Sequence, residues 1–181
     1  MFEIIQAPSG ATSKGIKIFL AGGISNCPNW QVDIINHLIK DHRFDKYKKQ
    51  KITLYNPRCK EIPEEDPQTT WEYEKLKESD IIIFWFWTGS LNPITLFEYG
   101  SYIKSDKTLV IGCHPTYIRR NAVIIQTRLA RPDLKVNIMF DAFYEQLVKE
   151  IIIKIESKTK WYSFLLEIFK VWHEMQGYKL L

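Results

Sequence analysis

Cysteine is scarce in this chain: Cys27, Cys59 and Cys113 are an odd number and lie far apart. No two have metal-ligand spacing, which argues against both a zinc site and a disulfide framework. The four histidines are equally scattered, and the step from His37 to His42 fits no familiar ligand pair. We therefore expect neither a metal nor a cofactor. Long apolar runs are also missing. The longest, Ile81 to Trp87, has seven residues, far short of the ~20 that a membrane-spanning helix needs. No signal-peptide pattern opens the sequence, so the expectation is a cytoplasmic protein with no membrane partner. Repeats and low-complexity segments are absent, and charge of one sign is only in mild excess, at +4 net. Part of that excess sits in one run, His42 to Lys51, with Arg43, Lys46, Lys48, Lys49 and Lys51. It reads as a solvated loop, or else as a basic strip serving a phosphorylated ligand or nucleic acid. Nucleic acid is not the expected partner.

What is present suits one domain with a sizeable core. The chain has 181 residues, 14% of them aromatic, including six Trp. Compact apolar strands alternate with helical patterns. Ile16–Ala21 is a strand ended by Gly22-Gly23, and Trp30, Ile34, Ile35, Leu38 and Ile39 form one face of a helix from about Asn29. A second strand covers Lys51–Asn56, and Asp66-Pro67 opens a helix running to about Ser79. Asp80 to Trp87 is almost continuously apolar, as strands buried on both faces are. A helix from about Thr95, a buried strand at Thr108–Gly112, a possible helix at Val123–Ala130 and a strand at Val136–Phe140 follow. Asp141–Glu156 is amphipathic, and so is a separate tail from Lys160 to Gln176. The reading is a flavodoxin-like, doubly wound parallel five-stranded α/β sheet flanked by helices, over residues 1–156. Residues 157–181 form a C-terminal helical extension, either packed on the domain or used as a subunit contact.

With strand order 2-1-3-4-5, the crevice beyond the strands' carboxyl ends brings the Gly22-Gly23 loop opposite the Trp87–Asn92 loop. Two glycines allow a sharp turn and a close backbone approach to a ligand, although a plain strand-to-helix turn looks the same. Glu98 stands just behind the second loop. Thr95-Leu-Phe-Glu98 fits a capping box. The alternative is a first-turn carboxylate, kept ionised by helix N–H groups, that attacks the anomeric carbon of a sugar. Ser90 and Asn92 are turn residues or ligand contacts, and Trp30, Trp71 and Trp87 are core or stacking platforms for a base.

Phe19-Leu-Ala-Gly-Gly-Ile-Ser, Asn29-Trp-Gln31, Trp71-Glu-Tyr73 and Ser79-Asp-Ile-Ile-Ile-Phe-Trp together resemble the nucleoside 2-deoxyribosyltransferase-like family. The likeness continues through Ser90 to Gly100 and Val110 to Asn121, and spans roughly residues 16–150. It implies that Glu98 is a nucleophile on C1′ of a 2′-deoxynucleoside, with the sugar passed to a second base. It also implies that Glu72, eight positions before Asp80, serves the nucleobase as general acid. The classical enzymes this chain resembles carry an acidic residue six positions before the nucleophile; here that place is held by Asn92. Gly22 and Gly23 would lie against the sugar or base, while Tyr117, Arg119 and Arg120 would reach a 5′-phosphate or a neighbouring subunit, unless the arginines are simply surface residues. The expected partners are a nucleoside or nucleotide, a free nucleobase and further copies of the chain. Hydrolysis in place of transfer, and nucleotide sensing without turnover, are the competing functions.

Overall fold

A computed structural model of the chain describes residues 1–59 and 67–177, the side chains of 170 and 173–177 excepted. Strand β1 (Phe2–Gln6) is followed by β2 (Ile16–Gly22), α1 (Trp30–Lys40), a 3₁₀ segment (His42–Tyr47) and β3 (Ile52–Asn56). Then come α2 (Pro67–Glu78), β4 (Ile81–Phe86), α3 (Pro93–Tyr102), β5 (Thr108–Cys113), α4 (Arg120–Ala130), β6 (Val136–Asn137) and α5 (Phe140–Gly177). All pairings are parallel, in the order β1-β3-β2-β4-β5-β6. Without β1 this is the flavodoxin-like order.

The sheet has six strands where the sequence suggests five. The extra one, β1, is an edge strand whose short, half-exposed pattern gives little signal. Its partner β3 is wholly buried. The period-two alternation of the inner strands divides the core into two layers. Ile16, Ile18 and Leu20 of β2, with Ile81, Ile83 and Trp85 of β4, pack under α1 and α5. Phe19 and Ala21, with Ile82, Phe84 and Phe86, face Trp71 and Leu76 of α2 and Tyr99 of α3. All six β4 residues are buried; each large apolar side chain so covered contributes roughly 1.5–3 kcal/mol.

Local signals set several boundaries. Asn29 Oδ1 accepts from the Val32 N–H at 3.3 Å and starts α1. Pro93 takes the first position of α3, two residues ahead of the expected start. The expected α2 cap, Asp66, lies outside the described residues. β6 stops at Asn137, and Phe140 opens α5 with Asp141 in its first turn. One 38-residue helix replaces the expected helix and separate tail, because no Gly or Pro interrupts the chain before Gly177. The basic run is more ordered than a solvated loop. Arg43 pairs with Asp41 and, at 2.6 Å, with Glu145 of α5.

Candidate active site

A cavity of about 520 Å3 lies at the carboxyl ends of β2 and β4, within the size range of small-molecule sites. Phe19 and Ala21 lie at the strand end, beside the Gly22–Ser25 turn. Gln68, Thr69 and Glu72 come from α2, Pro57 and Cys59 from the chain after β3, and Ser90, Asn92 and Glu98 from the opposite side.

Glu98 projects from the second turn of α3, on the face of Thr95 and Ile94, which also line the cavity. A capping box would require Thr95 to precede the helix. Thr95 is instead its third residue and buried, so Glu98 is no cap and no first-turn carboxylate. The expectation that helix N–H groups keep it ionised fails with it. Burial removes water from the Glu98 carboxyl, and the negative charge of Glu72 acts in the same direction. Together they push its pKa up to about 8. On the other wall the Gln68 amide donates to Glu72 Oε1 at 2.8 Å and to the Pro57 carbonyl at 3.0 Å. That anchors the second carboxyl to the end of β3. The cavity therefore holds two carboxyls close enough for the charge of Glu72 to bear on Glu98, and the raised pKa lets Glu98 keep its proton near neutrality.

The glycines are required by close packing. A Cβ on Gly23 would collide with the Asn92 amide and the Cys27 thiol, and one on Gly22 with the Trp30 ring and the Trp85 carbonyl. Asn92 is buried and left-handed, at φ 48°. Its Nδ2 donates to the carbonyls of Trp87 and Ser90, both at 3.0 Å. The side chain fastens its own loop, while one edge still borders the cavity.

Six of the residues expected at the site are brought together: Gly22, Gly23, Glu72, Ser90, Asn92 and Glu98. Four are not. Trp30 and Trp87 lie on the opposite side of the sheet, along a separate cavity of about 330 Å3 shared with Trp85 and His114. For Trp87 the reason is parity, since it continues the 81, 83, 85 series that faces α1 and α5. Tyr117 is buried, stacks on Phe86 and donates to the Leu91 carbonyl at 2.8 Å, supporting the loop from behind. Arg119 is exposed at the start of α4 and does not line the cavity. Arg120 donates to the Pro115 carbonyl, and Trp71 is buried with its indole N–H on the Ser9 carbonyl. Gln68 escaped the sequence reading. Its signal was present: it stands four residues before Glu72, on the same helical face.

The model of the nucleoside 2-deoxyribosyltransferase-like family matches residues 15–117, more than half of the chain. The chain belongs to that family. No curated protein matches it. Every cavity-lining residue falls inside the family segment, whereas α4, β6 and α5 lie beyond it. Among the described residues no helix is long and apolar enough to cross a membrane, and no cluster of three or more His, Cys, Asp or Glu could hold a metal ion.

Proposed function

We propose that this family member cleaves the N-glycosidic bond of a 2′-deoxynucleoside and passes the deoxyribosyl group to another base. The observation that carries the reading is the paired carboxyls, Glu98 and Glu72, in one cavity with Glu98 raised to about 8. A Glu98 oxygen attacks C1′, and the C1′–N bond breaks with its electron pair leaving on the base. The proton held by Glu98 is handed by way of Glu72 to the base nitrogen, so Glu98 is ionised when it attacks. In the second half, an incoming base nitrogen attacks C1′, the glutamyl ester opens and Glu72 recovers a proton. Water in place of the second base gives hydrolysis by the same steps.

Gly22 and Gly23 line the cavity wall that the sugar would meet, and Ser90 offers a hydroxyl there. Asn92 contributes an uncharged amide where the classical enzymes place an acid, so it can meet a sugar hydroxyl with a dipole but no charge.

The test is the intact mass of the protein after denaturing a reaction with a deoxynucleoside. The expected result is an adduct of one deoxyribosyl group, absent from Glu98→Ala. Base exchange with a second free base marks transfer, and acceptor-independent release of base marks hydrolysis. Tight nucleoside binding with neither adduct nor turnover would overturn the reading in favour of a sensor.

A further inference from the structure

The last part of α5 leaves the domain. Its contacts with the fold include Glu156, which accepts from the Tyr47 hydroxyl at 2.6 Å, and Lys158, 3.6 Å from Asp80. Beyond that, of the described side chains from Trp161 to Trp172, only Leu165 is even partly buried. Trp161, Tyr162, Phe164, Leu166, Phe169 and Trp172 are each between 54% and 64% exposed, and Ile168 and Val171 about as much. An aromatic side chain can cover roughly 150–250 Å2, so these eight leave on the order of 700 Å2 of apolar surface on a single copy. That exceeds the largest patch usual on a monomer, roughly 300–600 Å2. It approaches the ~800 Å2 that each partner contributes to a stable interface.

The pattern around the helix limits what can cover it. At 3.6 residues per turn, Val171 through Trp172 to Leu166 sweep an apolar arc of roughly 220°. Ser163, Glu167 and Lys170 occupy the remainder. A two-stranded seam covers a much narrower stripe, so one partner helix leaves part of the arc wet. The segment holds one acid and one base, Glu167 and Lys170. One lysine offset by one acid is not the Lys- and Arg-rich face that binds an interfacial helix to a lipid surface.

We propose that residues 161–172 pack against the same segment of other copies of this chain, forming a bundle of more than two helices. The bundle lies outside the family segment and does not depend on the proposed glycosyl transfer. It gives the expected homo-oligomer a specific surface. Sedimentation velocity on the full chain, a 21.5 kDa protomer, reads it directly. The expected mass is three or more protomers. Trp161→Glu combined with Phe169→Glu should reduce it to one, with the near-UV and far-UV signatures of the domain retained. Ser163→Glu, on the polar arc, adds the same charge and should leave the assembly intact. A single protomer from the unsubstituted chain overturns the proposal, as does an assembly that survives the double substitution. A strict dimer overturns the bundle geometry. A monomer that floats with phosphatidylcholine vesicles assigns the surface to lipid instead.

Discussion

Burial and the charge of Glu72 act on the Glu98 carboxyl in the same direction, and the sign of that effect can be tested by stability. Its folded pKa is raised from the ordinary 4.5 to about 8. The contribution of Glu98 to stability is therefore fully present below 4.5 and is lost as pH rises through 8. Glu98→Gln, which never ionises, should match the unsubstituted protein at acid pH and exceed it increasingly toward alkaline pH. A pKa unit is worth ~1.4 kcal/mol, and for a half-open carboxyl we expect a total gain on the order of 1–2 kcal/mol. Thermal unfolding across this pH range measures it, and a pH-independent difference contradicts the buried-pair picture. The same proton should appear in turnover, with kcat/KM falling as pH passes about 8. In Glu72→Gln the Glu98 pKa should drop, because the second cause of its elevation is gone.

At the scale of elements, the turn between β4 and α3 depends on Asn92. Asn92→Asp puts an acid at this position, but an ionised Asp cannot donate to the Trp87 and Ser90 carbonyls. The expected cost is ~1–3 kcal/mol, which lowers Tm by roughly 3–10 °C. Thermal unfolding decides this; an unchanged Tm would mean that the loop does not rely on those bonds. The buried inner strands were legible from composition alone, since runs such as Ile81–Phe86 have no other comfortable environment. The glycine turn, Glu72 and Glu98 were legible from the order of motifs. The placing of aromatics was not, because composition says that Trp30 and Trp87 are buried-type residues without saying against which face. Strand parity carried that information for Trp87. β1 was obscured by its exposed edge, and the continuity of α5 by the weaker amphipathic pattern around residue 157.

For the whole molecule, acid stability rests on carboxylates remote from the cavity. Burial alone would raise the Glu78 pKa, but hydrogen bonds from Lys17, Lys75 and Tyr55 outweigh it and hold it at about 2. Hydrogen bonding from Arg43, chiefly, keeps Asp41 at about 2 as well, against some desolvation. Both pKa values are depressed, so the stability they supply is present above the ordinary carboxylate range and lost as pH falls toward 2. Glu78→Gln should lower Tm at neutral pH and flatten its decline between about pH 5 and 2. A decline as steep as that of the unsubstituted protein would place the acid-sensitive groups elsewhere. Asp41 joins the 3₁₀ segment to α5 through Arg43 and Tyr144, and Glu78 joins α2 to β2 and β3. Acid therefore loosens α2 from the sheet and the 3₁₀ segment from α5.

The hydrogen that stands for a side chain at Gly22 has a counterpart in the Trp30 ring, which fills the space a Cβ would take. That ring also donates its N–H to the Gly23 carbonyl at 3.2 Å and packs edge-on against Phe143 of α5. Positions 22 and 30 thus share one fixed volume across the sheet end, and neither can change size alone. Reshaping the turn is accordingly a two-site problem: carbon removed from the indole releases the backbone at Gly22, and carbon added at Gly22 displaces the indole into the core.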